Sequence, residues 1–86
     1  MRLVCVWRRE SEYGRAMEEW LREFERRKGE GVVEEMNPDT REGVSFCRTY
    51  DVVEYPTILA LDEKGAVLAS WRGQMLPTFD EVSYWM

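Results

Sequence analysis

The only thiols in this 86-residue chain are Cys5 and Cys47, and no histidine accompanies them. A serine or cysteine nucleophile of the common kind needs an imidazole as its base, and a Cys₂His₂ site needs two more ligands than this chain has to offer. Cys-His and Ser-His catalysis are thereby ruled out, and neither a metal centre nor a cofactor is expected. What remains is the thiol chemistry of two separate cysteines and the acid–base chemistry of carboxylates. Cys47, beside Arg48, is a candidate reactive thiol if it is exposed; buried, either cysteine is a small inert hydrophobe. Glu10, Glu12 and Glu54 could act as paired acid and base only if folding gathers them near Pro56.

The elements that must position these groups are bounded by composition. Eighty-six residues, 44% of them hydrophobic and 34% charged, suit one globular domain spanning residues 1–86, with the charges mixed rather than in blocks. In so small a domain the four Trp, four Tyr and three Phe must supply much of the buried area. A net charge of −5 disfavours nucleic acid, whose affinity comes from cations that neutralise phosphates. The run LVCVW is too short for a signal-peptide core or a membrane span and is followed at once by arginines, so a cytoplasmic protein with no membrane partner is expected.

Arg2 to Trp7 (RLVCVW) is apolar without polar alternation, as in a strand covered on both faces. Beyond the loop Arg8–Glu12, the positions Tyr13, Ala16, Met17, Trp20, Leu21 and Phe24 recur at steps of three and four. Charged residues fill the other side, with Glu18–Arg22 and Glu23–Arg27 as i, i+4 pairs. This predicts an amphipathic helix packed on a sheet and stopped by KGEG. Val32–Met36 reads as a second strand. Asp39, after Pro38 and three residues before Glu42, reads as the cap of a short helix weakened by Gly43, with Val44, Cys47 and Tyr50 along one side. TILAL and AVLASW flank DEKG, whose glycine suits the left-handed position of a hairpin turn. Thr78 and Glu81 repeat the capping pattern before a terminal helix carrying Phe79, Val82 and Trp85 or Met86 on one side. The order is βαβαββα. Right-handed crossovers then give an α/β fold with a four-stranded mixed sheet, order 2-1-3-4, and helices on both faces.

Trp7 with the loop and helix behind it, and above all YDVVEYPTILALDEKGAVLASWRG, resemble the thioredoxin-like family, from its second helix through its cis-proline to its hairpin and closing glycine. The resemblance covers nearly the whole chain and lacks the extra N-terminal strand and helix of full thioredoxins. It implies a cis Tyr55-Pro56 bond beside the active-site loop, with the Tyr55 backbone facing outward to pair with an extended substrate. The residues alone leave open a trans proline that merely starts a strand. Where the family carries Cys-x-x-Cys, this chain has Ser11-Glu12-Tyr13-Gly14, so both the attacking and the resolving thiol are missing. The Ser11 hydroxyl has no base, and its place at a helix start suits a capping role. Aligned on Trp7, Cys5 falls under the first helix near Gly14. Cys47 belongs to the second helix, so the sheet would separate the two sulfurs and no bridge is expected.

The expected function is that of a non-catalytic thioredoxin-like module binding a protein or peptide. Its surface would be Trp7, Arg8, Arg9, Glu10, Ser11, Glu12 and Tyr13 together with Tyr55, Pro56 and Thr57. Trp7, Tyr13 and Tyr55 would either form an aromatic rim or pack in the core, and the loop would either recognise a partner or stay solvated. The alternative is a thiol-disulfide oxidoreductase-like redox protein using Cys47 alone. A monomer, or a weak homodimer through the YWM end, is expected.

Overall fold

The computed structural model describes residues 1–73 and 75–86. The apolar run near the start forms β1 (Arg2–Val6), followed by α1 (Gly14–Lys28), β2 (Val33–Met36), α2 (Arg41–Tyr50), β3 (Thr57–Leu61), β4 (Val67–Arg72) and α3 (Phe79–Ser83). The fold is α/β with a four-stranded mixed sheet in the order β2-β1-β3-β4. β1 runs parallel to β2 and antiparallel to β3, and β3 runs antiparallel to β4.

β1 and β3 are buried on both sides because the sheet divides two cores. Leu3, Cys5, Ile58 and Ala60 pack with Met17, Trp20, Leu21, Phe24 and Val82, which places α1 and α3 on one face. Val4, Val6, Leu59 and Leu61 pack with Cys47 and Val52, flanked by Phe46 and Tyr50, which places α2 on the other. Phe24 stacks on Trp20 at 5.0 Å between ring centroids, and both rings meet Phe79 edge-on at 5.4 Å. The Trp20 Nε1–H donates to the Pro77 carbonyl at 2.9 Å, satisfying the buried indole. Among the described residues no helix is long and apolar enough to cross a membrane.

Several local expectations change once the chain is packed. Ala16 is exposed, so the buried stripe of α1 is narrower than the periodicity implied. Val44 is 45% exposed, while Gly43 and Cys47 face inward. The cause is a close backbone approach: a Cβ on Gly43 would run into the Asn37 carbonyl oxygen. Gly43 is therefore required by packing rather than being a flaw in the helix. Thr40, not Asp39, caps α2, its hydroxyl oxygen accepting from the Gly43 N–H at 3.0 Å. Of the two helix pairs, Glu23–Arg27 forms at 2.9 Å, but Arg9 takes Glu18 at 2.8 Å and Arg22 turns to Glu25 and Glu35. Carboxylates and cations from neighbouring elements compete with the i, i+4 partner, and exposed pairs of this kind differ little in energy.

Other local signals survive intact. The Thr78–Glu81 capping box of α3 is complete in both directions, although Trp85 and Met86 lie beyond the helix and are exposed. In the hairpin the Asp62 carboxylate accepts from Lys64 N–H at 2.8 Å and Ala66 N–H at 2.9 Å, and Gly65 has φ 87°. The Tyr50 hydroxyl donates to the Gly65 carbonyl at 2.8 Å, and Arg72 donates to the Asp51 carbonyl at 2.9 Å, tying the hairpin to the end of α2.

Candidate functional site

β1 ends at Val6, directly opposite Thr57 of β3. The chain leaving one strand and the chain entering the other therefore meet at a single corner of the sheet. Trp7 turns inward there: it is 6% exposed, packs with Leu3 and Cys5, and donates its backbone N–H to the Met36 carbonyl at 3.1 Å. It is a core residue beneath the corner rather than an aromatic on its rim, because it continues the alternation of β1 one residue past the strand.

Arg8, one residue on, points to the opposite face. Its guanidinium makes two hydrogen bonds to the Asp39 carboxylate, both 2.9 Å, and lies over the Tyr55 ring, 4.7 Å from the centroid. The hydrogen bonds from Arg8 hold the Asp39 carboxyl below the usual aspartate range. Tyr55 is half-buried and packs against the α2-side core. Burial, then the neighbouring Cys47 thiol, push its hydroxyl above the ordinary phenol value, with Arg8 opposing. Arg9 returns to the first face, where it pairs with Glu18 and sits 5.1 Å from the Trp7 ring centroid.

The rest of the loop closes on itself. The Ser11 hydroxyl donates to the Arg8 carbonyl at 2.7 Å, and the Gly14 N–H donates to the Ser11 carbonyl at 3.1 Å. Ser11 is thus a loop-closing residue and not the cap of α1; Tyr13 holds the cap position, and its side chain makes no capping hydrogen bond. Glu10, Ser11 and Glu12 are exposed and Tyr13 is half-buried. Gly14 is buried, and a Cβ there would collide with the carbonyl oxygen of Arg9. Backbone therefore fills the place where the resemblance puts a second cysteine.

On the other side of the corner the Tyr55-Pro56 bond is cis. Pro56 is buried, its carbonyl accepting from the Gly73 N–H at 2.8 Å. Thr57 is fully buried, and its hydroxyl donates to the Glu54 carbonyl at 2.7 Å. Among the described residues neither backbone polar group of Tyr55 has a backbone partner. Glu54 sits against Gly73, and among the described residues no three acidic or thiol groups gather as metal ligands. No protein-family model matches the chain, and no curated protein matches it either.

The corner thus brings together Arg8, Asp39 and Tyr55, with the exposed loop Glu10–Glu12 tied to Arg8 through Ser11, while Pro56 and Thr57 are buried and Trp7 packs in the core on the other face. Asp39 is the member that sequence reasoning missed. The segment Pro38-Asp39-Thr40 offers two residues able to cap one helix; with Thr40 in that role, Asp39 is left to hold the arginine.

Both sulfurs are free and buried, in cores on opposite faces of the sheet. Burial, with a smaller contribution from Glu35, drives the Cys5 thiol well above the ordinary cysteine value. Native protein mixed with a disulfide-exchange reagent such as DTNB is expected to release almost no thiolate on the timescale of free cysteine, and two equivalents once denatured. One equivalent released rapidly from the native fold would identify Cys47 as accessible.

Proposed function

We propose that this chain is a thioredoxin-like domain that has given up thiol chemistry and serves as a protein- or peptide-binding module, with no enzymatic activity of its own. The sheet order, the helices on both faces and the cis Tyr55-Pro56 step support the family resemblance. The observation that carries the functional reading is the Arg8 guanidinium held between the Asp39 carboxylate and the Tyr55 ring. Arginine and tyrosine, with tryptophan, are enriched at binding hot spots, and a side chain already fixed in place loses little further freedom when a partner arrives. The resemblance implies a Tyr55 backbone that faces outward, where its N–H and C=O would give an extended segment the main-chain pairing of an added strand. The loop Glu10, Ser11, Glu12 and Tyr13 borders this platform in the proposal, Arg9 and Trp7 hold the loop from the α1 face, and Pro56 and Thr57 are buried behind Tyr55.

The partner is a protein or peptide rather than nucleic acid or a membrane, in keeping with the net charge of −5. Two unpaired thiols fit a reducing compartment such as the cytoplasm. The redox alternative centred on Cys47 has less support, since that thiol is 9% exposed and has no second cysteine on its face of the sheet.

Affinity capture with the wild-type chain beside an Arg8→Ala, Tyr55→Ala variant tests the proposal, with circular dichroism confirming that both are folded. Proteins enriched by the wild type are expected to bind the variant at least about tenfold more weakly, the loss produced by removing one strong hot spot. Equal capture by both would remove the corner as the binding surface.

A further inference from the structure

The two edges of the sheet are not alike. β2 has four residues, two of which, Glu34 and Glu35, are exposed carboxylates engaged by Arg2 and Arg22. Charge and shortness are the usual guards against strand addition at an edge. β4 has six residues, VLASWR, with no proline and one charge, and that charge, Arg72, folds back onto the end of α2. Its outer side pairs with no strand among the described residues.

Beside this open edge, on the face that carries α1 and α3, lies a groove of about 580 Å³ lined by Ala69, Trp71, Asp80, Glu81, Tyr84 and Trp85. Tyr84 is 79% exposed and meets Trp85 edge-to-face at 5.2 Å, so the two rings form a corner. Aromatic faces attract a cation electrostatically, and carboxylates beside them add to the attraction. Among the described residues no cation pairs with Asp80 or Glu81. Arg27, which lies over Phe79 on the α1 side, is occupied by Glu23.

We propose that the outer edge of β4 and the aromatic–acidic groove beside it bind an extended peptide segment bearing lysine or arginine, which adds as a fifth strand and seats one cationic side chain against Trp71, Tyr84 and Trp85. Main-chain bonds to β4 supply affinity, and the groove selects the side chain that projects toward α3. Charge decides between this occupant and a second copy of the chain. Two β4 strands paired antiparallel about a twofold axis would bring both sets of Asp80 and Glu81 to the same side of the joint sheet, with no cation to separate them. A basic segment meets the same surface with the opposite sign. The surface lies on the α3 side of the sheet, whereas the Arg8–Tyr55 corner faces α2, so the inference stands apart from the function proposed there.

The probe is an acetylated, amidated octapeptide of alternating lysine and valine, titrated into the full chain and followed by tryptophan fluorescence. It is expected to bind at least about tenfold more tightly than the peptide with glutamate in place of all four lysines, since the seated cation and the net charge of −5 both favour it. Methylating alternate backbone nitrogens on the bonding side of the lysine peptide is expected to abolish binding. Asp80→Asn, which leaves the Thr78–Glu81 cap in place, and Trp85→Ala should each weaken binding about five- to tenfold, whereas Arg8→Ala should leave it unchanged. Equal affinity for the two peptides, indifference to N-methylation or an absence of binding would overturn the proposal. So would sedimentation showing that the free chain is a dimer, which Trp85→Ala dissolves, at the concentrations titrated.

Discussion

The double variant Ser11→Cys, Gly14→Cys, which would introduce a Cys-x-x-Cys segment, is expected to be destabilised and to lack dithiol–disulfide activity. The cost lies at Gly14. Any side chain there must displace the backbone carbonyl of Arg9, and that carbonyl belongs to a loop fixed on both sides by the Arg8–Asp39 and Arg9–Glu18 pairs and by the Ser11 hydroxyl. Forcing atoms into a packed site typically costs about 1–3 kcal/mol, and more when backbone rather than a flexible side chain must yield. At about 4–8 °C per kcal/mol for a domain of this size, the melting temperature should fall by roughly 10 °C or more. Ser11→Cys alone changes an exposed residue whose side-chain bond to the Arg8 carbonyl closes the loop, and should cost about 1 kcal/mol or less. Urea unfolding of the single and double variants separates the two terms, and an insulin-reduction assay reads the activity. A double variant as stable as the wild type, with a reversible disulfide, would show that the loop yields easily.

Phe24→Ala is expected to lower stability by about 3–5 kcal/mol, the range for removing a fully buried aromatic ring. Phe24 is 0% exposed, and its ring joins Trp20 of α1 to Phe79 of α3. α3 has only five residues, too few to hold a helix without tertiary support. Its attachment rests on Phe79, Val82 and the Trp20–Pro77 hydrogen bond. Loss of the central ring should therefore release α3, which near-UV circular dichroism would record as a weakened tryptophan signal and chemical unfolding as a lower midpoint. Against a total of about 5–10 kcal/mol for a small domain, this is a large fraction. Phe24→Leu retains most of the volume and should cost about 1–2 kcal/mol.

The parts of this fold legible in the sequence are those written in local periodicity. The unbroken apolar run of β1, the three–four spacing from Met17 to Phe24, the Thr78–Glu81 box and the Asp62–Gly65 turn each depend on residues within a few positions of one another. From them the element order and the sheet order 2-1-3-4 follow through crossover handedness. The corner was less legible because its contacts join distant positions. Arg8 and Asp39 are 31 residues apart, and with 12 cations and 17 carboxylates in the chain no rule of spacing picks that pair. The inward turn of Trp7 depends on which face of β1 it continues. The need for glycine at positions 14 and 43 reflects the loop before each helix folding back on its first turn, Arg9 against Gly14 and Asn37 against Gly43, a path that composition does not record beyond a weak helix former at each position.

Helix α2 is moored at both ends. At its start Asp39 grips Arg8 of the corner, and at its finish Tyr50 and the Asp51 carbonyl hold the hairpin tip and Arg72 of the outermost strand. Ten residues of helix make a strut about 15 Å long between these anchor points. A sliding movement of that strut would pull on both sets of ropes together, so the two ends of the domain share one mechanical fate.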